Sequence, residues 1–270
     1  MPTANAGKLA SLRNDPKGWL ILLIGLGAPI AFVIAAGGAG MGLWGFQAGL
    51  GAVPFILAAA LGALIIAAFG IFRDRRKARK TPWLRLAIGS IAAIGFLGYM
   101  TSYLVPMLTL PAIHDISTDL ADPPRFTALP LRPDNLDNIP GADDADMRGM
   151  NPRQRWAVLH QEAFADIRTV RIDQPVPQVI ARAERLANDR GWDIARVDPA
   201  AGSLEATDTV SLFRFKDDVV IRARPTADGA ASIIDMRSVS RVGVHDLGVN
   251  SARVRSFLSD LSGTTSAASR

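Results

Sequence analysis

Residues 18–72 contain no Asp, Glu, Lys, Arg or His. As one helix rising about 1.5 Å per residue, this 55-residue run would reach about 80 Å, far beyond the roughly 30 Å hydrocarbon core of a bilayer. It must fold back on itself, and lipid is its natural solvent. A basic cluster follows at residues 73–80, and a second charge-free run occupies residues 86–113.

The Gly-rich segment Gly37-Gly38-Ala39-Gly40-Met41-Gly42 is a poor helix centre and predicts a turn. Three spans result, at about residues 19–36, 49–72 and 83–104, within a membrane region of residues 1–110. Trp44 and Phe46 fall between the first two spans, where interfacial aromatics belong. Lys8, Arg13 and Lys17 precede the first span, and the 73–80 cluster with Arg85 separates the second from the third. The loop between the first and second spans has no charge. Positive residues stay on the cytoplasmic side. The expected topology therefore has an inner N-terminus and an outer C-terminal domain: a multi-pass protein of a bacterial inner membrane with a periplasmic domain. Apart from Arg85 at the entry of the third, the spans hold no Asp, Glu, Lys, Arg or His, which argues against an ion or proton pathway; they read as an anchor.

Charge divides along the same boundary. Residues 1–110 carry 10 Lys and Arg against 2 acidic residues, and residues 111–270 carry 20 against 23. The net charge of +5 thus belongs to the membrane flanks, so nucleic acid is not an expected partner. The lipid bilayer is, with an anionic lipid or an envelope protein as further partners. Absence of Cys excludes disulfides and thiolate metal sites.

Residues 111–150 are rich in Pro, Asp and Asn without periodicity, and predict an extended acidic linker. His114, Asp115, Asp119 and Asp122 are weak candidates for a divalent cation, with a spacing that matches no metal loop. A soluble domain is expected over residues 151–262, followed by a disordered tail at 263–270. Asn151-Pro152 is a helix start, and residues 177–190 have helical spacing ending at Gly191. The segments 166–173, 192–197, 203–207, 211–215, 219–224 and 232–242 favour strands, and a final helix covers about residues 249–261. Strands joined by short turns imply an antiparallel sheet, and the flanking helices imply α+β architecture with the helices packed on one face.

Alternation on the last two long strands sets Ile221, Ala223, Ile234, Met236 and Ser238 against Arg222, Arg224, Arg237 and Arg241, with Asp235 among the arginines. If the apolar set faces the helices, the arginines share the other face. They could hold an anionic ligand there, or form a solvated lattice of Arg–Asp pairs. Arg253, one turn into the last helix, could reach back to Asp246, and joins them as a ligand candidate at a helix N-terminus.

The string Arg237-Ser238-Val239-Ser240-Arg241-Val242-Gly243, followed by Asp246-Leu247-Gly248-Val249-Asn250 and Arg253, resembles the signature of the family catalogued as domain of unknown function (DUF) 1499. The segments 215–222, Ala206-Thr207 and 114–124 fit its other motifs, so the resemblance spans roughly residues 112–262. It implies a bacterial, often membrane-anchored domain without an established activity. Within it, Asp217 and Asp218 suit a turn. Gly243 and Gly248 permit positive φ where the strand turns into the helix, and Asp246 or Asn250 can cap that helix. Ser238 and Ser240 can hydrogen-bond within the sheet. Ser240, His245 and Asp246 are close in sequence and offer a hydrolase as the alternative, but no nucleophile-elbow Gly-x-Ser-x-Gly is present. The favoured expectation is a binding or scaffolding domain of the cell envelope, not an enzyme, with no cofactor.

Overall fold

A computed structural model of the protein describes residues 16–76, 83–210 and 212–263. The basic residues Lys8, Arg13, Lys77, Arg79 and Lys80, and residues 264–270 of the tail expected at 263–270, lie outside the described residues. Two compact units are present: one contains the chain up to Val105, the other most of the chain from Pro106 onward.

In the first unit, α1 (Pro16–Gly40), α2 (Phe46–Arg76) and α3 (Trp83–Thr109) are long and apolar enough to cross a membrane. Each outlasts the span expected from sequence. The expected turn at Gly37–Gly42 is shorter: α1 runs on to Gly40. The reason is steric. The Trp44 ring fills the space where a Gly38 side chain would be, and its Nε1 donates to the Ala35 carbonyl at 3.0 Å. Gly25 and Gly89 bring α1 and α3 into backbone contact: a Cβ on Gly25 would lie 2.1 Å from the Gly89 carbonyl oxygen. Lipid tails supply no hydrophobic drive between helices, so close packing of this kind must hold them. Leu23, Phe55, Ile65 and Ile91 point outward, as a lipid-facing surface requires.

The second unit is the expected α+β domain. A six-stranded antiparallel sheet has the order β1-β6-β5-β4-β3, with β2 also paired to β6. Its strands are β1 (Asp115–Ser117), β2 (Val170–Ile172), β3 (Asp193–Asp198), β4 (Ser203–Val210), β5 (Phe215–Pro225) and β6 (Ser232–Ser240). The helices are α4 (Pro152–Ala163), α5 (Val176–Asp189) and α6 (Val249–Ser262).

Helix α4 begins as its sequence dictates. Asn151 accepts from the Gln154 amide and Gln154 returns the bond to the Asn151 amide, a complete capping box with Pro152 at the first position. Helices α5 and α6 pack on one sheet face. Val179, Ile180 and Ala183 of α5 and Val254, Phe257 and Leu261 of α6 close a core with Leu204, Ile221, Ile234 and Met236. Trp192 stacks on Phe257 at 4.9 Å.

Two strand expectations need correction. The strand expected at 211–215 is not found: residues 212–214 lie in a turn between β4, which ends at Val210, and β5, which begins at Phe215, and residue 211 lies outside the described residues. Asp217 and Asp218, expected in a turn, lie inside β5, paired with Ser240 and Val239. Both are buried, and arginines supply the compensating charge.

The segment read as the start of the linker contributes β1, which pairs with β6 from Asp115–Val239 to Ser117–Arg237. Being an edge strand, it has backbone groups that need partners. Helix α4 provides them: Trp156 Nε1 donates to the Asp115 carbonyl at 2.7 Å, and the Ser117 amide donates to His160 Nε2 at 3.2 Å.

Candidate functional site

The sheet face turned away from α5 and α6 is polar. Strand parity and register put Glu205 and Thr207 of β4, Asp218, Arg222 and Arg224 of β5, Asp235 and Arg237 of β6, and Asp115 of β1 on it. The alternation read from sequence is therefore present, and the face is charged. It is not open. The chain between β1 and α4 crosses it, and carboxylates of that segment meet the arginines below.

Arg237 holds Asp115 through two bonds, Nε to Oδ1 at 2.9 Å and Nη2 to Oδ2 at 2.6 Å. Arg222 reaches Asp119, Asp122 and Asp235 at 3.1, 2.8 and 3.0 Å, and Arg224 shares Asp235 at 2.7 Å. Arg241 grips both oxygens of Asp218 at 2.8 Å and also reaches Thr207. Such paired guanidinium–carboxylate bonds offset the cost of removing the charges from water. Asp115, Asp119 and Asp122, three of the four weak metal candidates, are thus held by arginine, and the fourth, His114, has Arg132 Nη1 at 3.4 Å from its Nε2. No group of three or more acidic or His side chains is placed to hold a metal ion among the described residues.

One residue that sequence reasoning missed anchors the covering segment. Glu205 is fully buried, and its carboxylate accepts from the amides of Thr127, Ala128 and Leu129 at 2.7 to 3.1 Å. Burial pushes its pKa up, but the hydrogen bond donated by the Thr127 hydroxyl, together with those of the three amides, outweighs burial and holds it below the ordinary value. The available signal was its parity with Ser203 and Thr207, opposite to Leu204 and Ala206.

The other face has its own polar cluster, under the start of α6. Asn250 is fully buried; its Nδ2 donates to the His114 carbonyl and to Ser240 Oγ, and its Oδ1 accepts from Ser238 and Arg253. Arg253 does not reach back to Asp246. It pairs with Asp217 at 2.8 Å and Asp208 at 2.9 Å. Asp246 instead receives the amides of Gly248 and Asn250, capping the helix start. Burial raises the Asp246 pKa, partly countered by those amides. Gly248 adopts φ 81° at the helix start, and Gly243 adopts φ 87° in the preceding loop.

The hydrolase geometry is absent among the described residues. Ser240 Oγ is engaged by Asn250, His245 Nδ1 accepts from the Leu247 amide, and Asp246 serves the helix. Ser240 and His245 share no hydrogen bond, which a nucleophile–base pair requires.

All five candidate arginines therefore have carboxylate partners inside the domain. A cleft of about 470 Å³ lies beside them, between the covering segment and the start of α4. Arg125, Arg132, Arg153 and Arg237 line it, against Asp122 and Asp137. Arg132 is bound to Asp134 and to the Gly243 carbonyl. Arg153 donates only to the Ala121 carbonyl, and Arg125 has no carboxylate within reach among the described residues. A second hollow of about 220 Å³ shares Leu131, Arg132 and Pro133 with the first and reaches Arg241.

A family model described as a protein of unknown function (DUF1499) matches residues 115–261, more than half of the chain. No curated protein and no solved structure matches.

Proposed function

The chain belongs to the DUF1499 family, and from that premise we propose a membrane-anchored binding module that takes a small anionic ligand in the cleft lined by Arg125 and Arg153. One observation carries this reading. The domain matches its sheet arginines with its own carboxylates, yet among the described residues two cations in one concave site have no such partners. Arginine suits that role because its planar fork pairs two-pronged with phosphate or carboxylate. Arg237, on the same cleft wall, keeps Asp115 and contributes field more than contact.

The setting of the module is the outer face of a bacterial inner membrane, with the domain in the periplasm. The support is the distribution of charge: Lys17, Arg73, Arg75, Arg76 and Arg85 flank the helix ends of one side, and the α1–α2 connection carries none.

Arginine footprinting tests the cleft. In native membranes, phenylglyoxal should modify Arg125 and Arg153 several-fold more slowly than the exposed Arg171. Purification and washing should remove that protection. Equal modification before and after washing would count against an occupied cleft. A C-terminal reporter active only in the cytoplasm would overturn the topology.

A further inference from the structure

The loop between β6 and α6, with the first residue of α6, exposes three valines within eight residues: Val242, Val244 and Val249 are 37%, 45% and 38% exposed. The loop is not loose. Arg132 Nη1 holds the Gly243 carbonyl at 2.7 Å, His245 Nδ1 takes the Leu247 amide, and Asp246 takes two amides at the start of α6. Backbone with φ of 87°, 56° and 81° at Gly243, Leu247 and Gly248 fixes its course. The fold therefore spends several polar contacts on presenting apolar side chains outward, where a soluble loop would carry polar ones.

What lies against this loop follows from chain continuity within the same unit. Thr109 ends α3, and Leu110, the next residue, packs on Gly248: a Cβ there would lie 2.8 Å from Leu110 Cδ1. The start of α6 thus packs on the residue that follows α3 in the chain. Met107 and Leu108, in the last turn of α3, are themselves exposed. Charge agrees. The one carboxylate of the loop, Asp246, is turned to the helix start, and the exposed Lys216 sits beside Arg241, whose amide donates to the Lys216 carbonyl. An apolar rim flanked by a cation fits the boundary between acyl chains and anionic headgroups.

We infer that the β6–α6 loop is a bilayer-contact element, with Val242, Val244 and Val249 seated in the headgroup–acyl boundary of the membrane that anchors the chain. This stands apart from the cleft, which it neither needs nor occupies.

The chain has no Cys, so single labelling sites are easily made. Val244→Cys, Val249→Cys and Ala227→Cys are each spin-labelled in the full chain. The proteins go into nanodiscs of phosphatidylethanolamine and phosphatidylglycerol, where collision rates with oxygen and a water-soluble nickel chelate are read. Ala227, in the β5–β6 turn at the opposite end of the sheet, is the water-exposed reference. The oxygen-to-nickel ratio at positions 244 and 249 should exceed that at 227 at least five-fold. A ratio equal to that at 227 would overturn the inference. So would labels shielded from both reagents, which would mean a protein surface covers the loop.

Discussion

Arg237 and Asp115 form a two-pronged ion pair across adjoining strands, 122 residues apart in sequence, with Asp115 buried. The pair ties the edge strand β1, which follows α3 in the chain, to β6. It also explains why a segment rich in Asp and Pro can lie on a folded domain. Its charges are answered from below, by Arg237 for Asp115 and by Arg222 for Asp119 and Asp122.

Replacing Arg237 by Ala leaves Asp115 buried and unpaired. The expected loss is about 3–5 kcal/mol of domain stability. Asp115→Asn in the Arg237→Ala background should recover part of it, because the uncompensated charge is gone. Denaturant titration of the full chain in detergent checks both. An R237A loss under 1 kcal/mol would show that the pair is not structural.

Glu205→Gln puts an NH₂ group in front of amides that now donate to a carboxylate. Thr127, Ala128 and Leu129 should then exchange their amide hydrogens at least ten-fold faster, while the β5 amides keep their protection. The stability cost should be about 1–3 kcal/mol, as for one buried polar group left badly paired. Unchanged exchange at 127–129 would deny that Glu205 anchors the cover.

His160 accepts a hydrogen bond from the Ser117 amide, so its Nε2 must be unprotonated. Burial is the main cause that lowers its pKa from 6.5 to about 4. The fold binds this proton less readily than the unfolded chain does. The resulting stability is complete above about pH 6.5 and is lost as pH falls toward 4. A gap of that size corresponds to roughly 3 kcal/mol. Urea midpoints at pH 7.5, 6 and 4.5 should fall more steeply for the native protein than for His160→Gln. Parallel curves would contradict the assignment.

Gly25→Val should separate α1 from α3, since even a Cβ meets the Gly89 carbonyl oxygen. The full chain should lose thermal stability in detergent by at least 5 °C. Gly27→Val is the control, because a Cβ there meets nothing within 4 Å. Equal melting of the two variants would dispose of the backbone contact as a stabilising feature.

The sequence exposed whatever is local. The three apolar helices follow from charge-free runs, the Asn151 cap from the residue types at 151–152, and the face shared by Arg222, Arg224 and Arg237 from a spacing of 2 residues. Partners distant in the chain have no such signature. Nothing local assigns Asp115 to Arg237, Glu205 to residues 127–129, or Arg253 to Asp217 in place of Asp246. Asp217-Asp218 read as a turn because paired acids are costly inside a strand, until arginines from two other elements are brought to them. Gly37–Gly40 read as a turn because glycine disfavours helix, but one of these glycines is there to admit the Trp44 ring.

The central claim is an anionic ligand in the cleft of Arg125 and Arg153. Native mass spectrometry of the full chain, released gently from its own membrane, tests it most directly. A bound anionic species should accompany the native protein and be lost at least ten-fold in the double variant Arg125→Glu/Arg153→Glu, with folding unchanged by circular dichroism. A native protein that carries no such species, or a double variant that retains it, would contradict the account.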